Sequence, residues 1–264
     1  MAASIVFVFG LLIGSFLNVC IYRIPKNISI VFPNSHCPKC KKEIKWYDNI
    51  PVLSYLLLLG KCRNCKTKIS PRYLIVELIT AILFVSGFYR FGLSREFISI
   101  LVFISVITIF SFLIVIALID LKTQYIYDVT VIPLAIFGIC VSVLIPGRGP
   151  LLALAGYLAG GAVFLLIAIF SLAVYKQEGM GMGDVKLAAA TGTFLGLQGV
   201  LIMSLLSVIL GSIISSYLLL SGRKHRMDPI PFGPFIVLGT FIVMLAGDKI
   251  ILAGYYFQNF IIKN

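Results

Sequence analysis

Phe112-Leu113-Ile114-Val115-Ile116-Ala117-Leu118-Ile119 carries no polar side chain and closes on Asp120. It belongs to an apolar stretch, 98–119, about as long as the hydrocarbon slab of a bilayer needs. An acid at the edge of such a stretch is costly to place and is a functional candidate by default. A second acid has the same setting. Gly179-Met180-Gly181-Met182-Gly183-Asp184 leads into the apolar stretch 185–198.

Working outward, six further stretches have the same character: 3–22, 73–91, 129–145, 151–175, 200–221 and 233–260. The first lacks a basic lead-in and a small-residue cleavage site, so it reads as a retained helix rather than a removable signal. The last contains Asp248 and Lys249, so it either breaks or continues along the interface. The chain is 60% hydrophobic and 12% charged, with mean hydropathy +1.06. Soluble domains are about a quarter charged. These values exclude disorder, a secreted disulfide scaffold and an ordinary cytosolic enzyme. The expectation is an all-α polytopic membrane protein with about eight transmembrane helices. No internal repeat with a period of 20–50 residues is expected.

Net charge is +12, and 11 of the 22 Lys and Arg lie between Arg23 and Arg72, opposed only by Glu43 and Asp48. In a membrane chain such a block marks the cytoplasmic side. With eight spans the inside segments hold 17 cations and the outside five, namely Arg90, Arg95, Arg148, Lys249 and Lys263. The expected location is therefore a multi-pass protein of the plasma (inner) membrane, with both termini outside. The expected organisation is a first helix (1–22), a basic cytosolic loop domain (23–72) and a seven-helix membrane core (73–264). Anionic headgroups are the expected partner of the loop, and no nucleic acid is expected.

Inside that loop stand Cys37-Pro38-Lys39-Cys40 and, 21 residues on, Cys62-Arg63-Asn64-Cys65. Cytoplasmic thiols stay reduced, so paired C-x-x-C turns indicate metal rather than disulfides. Four thiolates make a closed tetrahedral site suited to structural zinc. His36 borders the first cysteine and reads as a solvated side chain rather than a further ligand. Cys20 and Cys140 stand alone in apolar runs and read as packing residues.

On this topology Asp120 and Asp184 both end up at cytoplasmic helix ends, and they can meet although 64 positions separate them. Two carboxyls in contact cannot both ionise cheaply. One keeps a proton and polarises a carbonyl while the other acts as base on water. The same pair also suits a proton or ion relay. Gly179, Gly181 and Gly183 clear side chains from the approach to Asp184. Asp128 reads as a helix cap or a partner of the acid site. Glu77 and Asn18, each within a span, need polar partners, Arg72 being a candidate for Glu77.

The ordered set resembles one family, the bacterial type IV prepilin peptidases, G-x-G-D aspartyl proteases of the membrane. The residues that carry it are Gly14-Ser15-Phe16-Leu17-Asn18-Val19-Cys20-Ile21-Tyr22-Arg23-Ile24-Pro25, the two C-x-x-C pairs, and Ser70-Pro71-Arg72-Tyr73 with Glu77. They continue through Ile119-Asp120-Leu121, Gly181-Met182-Gly183-Asp184-Val185-Lys186 and Pro229-Ile230-Pro231-Phe232-Gly233-Pro234. The resemblance implies Asp120 and Asp184 as catalytic pair, with the active site facing the cytoplasm. It implies type IV prepilins and pseudopilins as substrates, cut after a glycine that follows a basic leader. It also implies N-methylation of the new amino terminus with S-adenosyl-methionine, for which the sequence has no glycine-rich fingerprint. Gly181, Gly183, Asp128, Lys186, Glu77, Arg72 and Asn18 stand as supporting positions. One departure is Tyr127, which replaces the proline of many relatives in the segment Asp120 to Asp128.

Overall fold

The computed structural model describes residues 1–92, 97–144, 149–176, 179–223, 225 and 228–263. The side chains of 175 and 249–263 are outside that description. Arg95 and Arg148, counted above as outside cations, lie outside the described residues, as do the side chains of Lys249 and Lys263. The described elements are helical. They are α1 (Ala2–Arg23), α2 (Leu53–Leu57), α3 (Arg72–Phe91), α4 (Phe97–Thr123), α5 (Asp128–Leu144), α6 (Pro150–Tyr175), α7 (Met182–Leu220) and α8 (Gly233–Lys263), with two short 3-10 turns. Among the described residues, extended pairing is limited to two isolated bridges. Five helices among the described residues are long and apolar enough to cross a membrane: Ala2–Lys26, α3, α4, Pro150–Val174 and α7. The chain is an integral membrane protein.

Lipid offers no hydrogen bonds, so the hydroxyls these helices carry must be satisfied within the protein. They bond to carbonyls one turn back: Ser105 to Leu101, Thr108 to Ile104 and Ser111 to Ile107 in α4. Ser204, Ser207 and Thr240 repeat the device in α7 and α8. The stretch ending in Asp120 can therefore hold Ser and Thr without exposing an unpaired donor.

Packing divides the chain into two compact units, Met1–Val115 and Ile116–Asn264. In the first, α1 and α3 run antiparallel. A Cβ added at Gly10 would lie 2.6 Å from Ala81 Cα, and one at Gly14 would lie 2.7 Å from Glu77 Cα. One turn further along α1, Asn18 Nδ2 donates to the Tyr73 carbonyl at 3.0 Å. Glycines four apart let the backbones touch, which replaces the hydrophobic effect as the source of cohesion between helices in lipid.

The second unit turns on Gly196. At 39 residues α7 would be about 58 Å long if straight, nearly twice a bilayer core. Gly196 interrupts it with φ 71° and ψ −178°. Gly156 of α6 abuts Gly192 and Gly160 abuts Ala188, so limb 182–195 runs against α6. Gly156 also meets Gly196, and Gly160 meets Val200, so limb 197–220 runs with α6. The chain therefore reverses at Gly196, where a left-handed backbone favours glycine. α8 then returns along the second limb, with Gly239 on Met203 and Ser207, and Gly211 on Phe235. Its backbone is helical through Asp248 and Lys249.

Candidate active site and metal centre

Asp120 lies in the last turn of α4 and is 3% exposed; Asp184 lies in the first turn of α7 and is 9% exposed. Both belong to the second unit. Between them stands Ile126. Its side chain meets the Cβ positions of Gly183 and Gly233.

Asp120 Oδ2 accepts the Gly233 amide at 3.0 Å. Gly233 is the first residue of α8, so this N–H is one that its helix cannot satisfy. The segment before it is fixed by rings: Phe232 packs on Phe164 of α6 and on Phe235. Ser207 donates to the Phe235 carbonyl at 3.1 Å. Gln124, at φ 55°, ties the loop after Asp120 to the Pro229 carbonyl. A backbone donor is invisible in side-chain chemistry, and Gly233 is the site member that residue types alone did not single out.

The glycines around Asp184 serve different ends. A Cβ at Gly183 would come 2.9 Å from Ile126 Cβ, which makes this glycine a packing requirement. Gly181 has an ordinary extended backbone, and a Cβ there would sit at contact distance, 3.4 Å, from Asp184 Oδ2. Its carbonyl accepts the Asp184 amide. Asp128 opens α5 and pairs with Lys186 at 2.8 Å, with both side chains half exposed. That bridge links the first turns of α5 and α7. Tyr127, the departure from the pattern, caps α5 through its carbonyl, which accepts the Thr130 hydroxyl at 2.7 Å.

The remaining sequence candidates lie in the first unit. Glu77 Oε2 accepts the Val52 amide at 2.8 Å, so its partner is loop backbone rather than Arg72. Asn18 Oδ1 and Arg72 Nε are buried without hydrogen-bond partners. The Arg72 guanidinium lies over the Tyr73 ring.

The four loop cysteines converge, their sulfurs all within 4.8 Å of one another. Cys37 Sγ and Cys65 Sγ are 3.8 Å apart. Tetrahedral zinc with Zn–S of about 2.3 Å requires sulfurs about 3.8 Å apart, so this donor set fits a structural zinc. Each pair sits on the same knuckle. The Cys37 and Cys62 amides donate to Lys42 and Thr67, and their carbonyls accept from Lys41 and Lys66. Lys41 and Lys66 are both left-handed, at φ 59° and 55°. The bridges His36–Glu43 and Lys61–Lys68 close the two turns. Residues 36–43 and 61–68 are thus a local structural repeat, against the expectation of none.

The Thr67 hydroxyl has no nitrogen or oxygen partner. Hydrogen bonding from Thr67 pulls the Cys65 thiol down to about 6, while burial and the neighbouring sulfurs push Cys40 up to about 11, so the clustered thiols titrate as a group. His36 is exposed, with its ring nitrogen 3.2 Å from the Asn34 carbonyl. Arg63 grips Asp48 in a bidentate pair, with Nε–Oδ2 at 2.7 Å, and holds that carboxyl below its usual range.

Comparison with known proteins finds matches along most of the chain. Residues 8–91 match the bacterial peptidase A24 N-terminal domain, and residues 107–216 match the type IV leader peptidase family. A protein of Bacillus subtilis (strain 168) is 36% identical over 248 residues, covering 94% of this chain and 96% of its own. One from Neisseria gonorrhoeae is 33% identical, covering 94% and 92%. One from Aeromonas hydrophila is 35% identical, covering 98% and 94%. All three are named prepilin leader peptidase/N-methyltransferase. No solved structure matches. Two successive family matches and relatives aligned nearly end to end place this chain in the type IV leader peptidase family.

Proposed function

We propose that the chain is a membrane aspartic endopeptidase that removes the basic leader from type IV prepilins and pseudopilins after a glycine, and that it N-methylates the new amino terminus. The observation that carries this is the burial of Asp120 and Asp184 at two helix ends joined through Ile126, whose side chain meets both Gly183 and Gly233, in a chain whose relatives share one name along almost their whole length.

The two carboxyls share a proton. The ionised member takes a proton from water as its oxygen attacks the scissile carbonyl, and the protonated member donates to the carbonyl oxygen. Collapse of the tetrahedral intermediate passes a proton to the leaving amine. S-adenosyl-methionine, when bound, would supply a methyl group to that amine, which would lose a proton as S-adenosyl-homocysteine leaves. Zinc at Cys37, Cys40, Cys62 and Cys65 supports folding only, because four thiolates leave no open ligand position.

In this reading the chain has eight spans: the apolar helices already named, α5, the apolar part of α8 (Gly233–Asp248), and the extra crossing created at Gly196. The loop 23–72 and both acids face the cytoplasm in the inner membrane, with both termini outside, on the distribution of Lys and Arg. The basic loop does not attract a basic leader, so its counterpart is anionic headgroup.

The test is purified protein in detergent with a synthetic prepilin leader peptide and methyl donor. Mass spectrometry is expected to find two fragments, the distal one carrying an added methyl group at its amino terminus. An intact peptide overturns the reading, and cleavage without methylation removes its second half.

Gly233→Ala is expected to lower cleavage about 100-fold, because small displacements of a reacting group cost about that much. Its Cβ would stand 2.7 Å from Asp120 Oδ2. Rates measured on the leader peptide check this, and an unimpaired variant would show that cleavage does not depend on Asp120 Oδ2 being held against residue 233.

A further inference from the structure

The loop between α1 and α3 carries a segment that does not behave as a water-facing loop. Val52-Leu53-Ser54-Tyr55-Leu56-Leu57-Leu58-Leu59 leaves Leu53, Leu56, Leu57 and Leu59 50%, 57%, 73% and 81% exposed. Four bare leucines within seven residues form an apolar patch that calls for a cover.

Its depth is set by one bond. The Val52 amide, in a backbone with φ 61° that a β-branched residue rarely adopts, donates to Glu77 Oε2. Glu77 lies five residues into α3, about 7.5 Å along the helix from Arg72. The segment is therefore folded back alongside the first turns of a membrane helix instead of projecting from its end.

Beside the leucines is a cavity of about 390 Å³ whose lining includes Tyr55, Leu59, Lys61, Lys68 and Ser70. The isolated bridge sets Lys61 and Lys68 opposite each other across its mouth. The surrounding loop carries 11 Lys and Arg against two acids. An apolar ridge at interfacial depth next to paired cations is complementary to an anionic phospholipid, with acyl chains against the leucines and phosphate against the lysines.

We propose that residues 52–59 lie in the headgroup–acyl boundary of the bilayer, and that the cavity between Lys61 and Lys68 receives the phosphate of an anionic lipid. The inference rests on α1 and α3 as membrane helices and not on peptide cleavage, so its test is independent of activity.

The test uses the full chain in nanodiscs, with Trp46→Phe removing the only native tryptophan and Leu57→Trp placing a probe on the ridge. Lipids brominated high on the acyl chain are expected to quench the probe strongly. In mixtures, brominated phosphatidylglycerol is expected to reach half-quenching at a mole fraction about five-fold lower than brominated phosphatidylcholine, since each lysine near the surface favours anionic lipid. Lys61→Gln with Lys68→Gln should abolish that difference while zinc content stays unchanged. No quenching by either lipid overturns the insertion, because the leucines would then face water or protein. Equal quenching by both lipids overturns the phosphate site, with or without the lysine changes.

Discussion

Asp120→Asn and Asp184→Asn each lower cleavage of a leader peptide by about 1,000-fold or more, while the protein remains folded in the membrane. Peptide hydrolysis needs a base for water and an acid for the carbonyl at the same moment, and one carboxyl cannot serve as both. General acid–base catalysis alone contributes about 10²–10⁴-fold. Because the pair acts as a unit, the double variant should be little worse than either single one. Asn keeps size and can still accept the Gly233 amide that Asp120 holds, so the loss is chemical rather than architectural. Asp128→Asn is the contrast. Its bridge to Lys186 is half exposed, and such pairs contribute about 1 kcal/mol or less, so cleavage should fall less than about ten-fold. Robust cleavage by Asp120→Asn or Asp184→Asn would remove the paired-acid mechanism.

Cys40→Ser removes zinc and, with it, the fold of residues 36–68. Between Ile24 and Pro71 the only buried hydrophobic residue is Cys37. A segment of that size with no apolar core cannot offset the entropy of ordering its chain. Zinc binding, worth about 10–16 kcal/mol in small zinc domains, would take the place of a core. Elemental analysis should fall from one zinc per chain to nearly none, and limited proteolysis should open sites around the knuckles. Unchanged zinc content in Cys40→Ser would show that these cysteines are not the ligands. The helices of the second unit do not depend on this metal and should stay resistant to protease in the same sample.

The helices could be read from composition because a lipid-facing helix writes its identity in apolar length. Stretches 73–91 and 98–119 fall within Arg72–Phe91 and Phe97–Thr123. The division between 185–198 and 200–221 was also readable, although the break lies at Gly196, one of several small residues that the apolar pattern does not rank. The acids stood out because ionisable groups are rare at such positions, and the cysteines because their spacing recurs. What the sequence hid were partners made of backbone. The Gly233 amide on Asp120 and the Val52 amide on Glu77 have no side-chain signature. The knuckle repeat was hidden for another reason. Its two copies share only the cysteines and the lysine after the second, and the equivalence lies in hydrogen bonds and φ angles.

The reversal at Gly196 has a bearing on the thickness of the surrounding membrane. Limb 182–195 rises only about 21 Å, against a hydrocarbon core of about 30 Å. A crossing shorter than the slab is accommodated by thinning the bilayer around it. Asp184 opens that limb, so the surface that dips is the one nearest the acids. Water then comes closer to the two buried carboxyls than a slab of full thickness would allow, and a substrate can keep its apolar helix in the bilayer while the bond before that helix lies near water. Hydrolysis at the border of an oily phase thus becomes a matter of local membrane shape as much as of two acids.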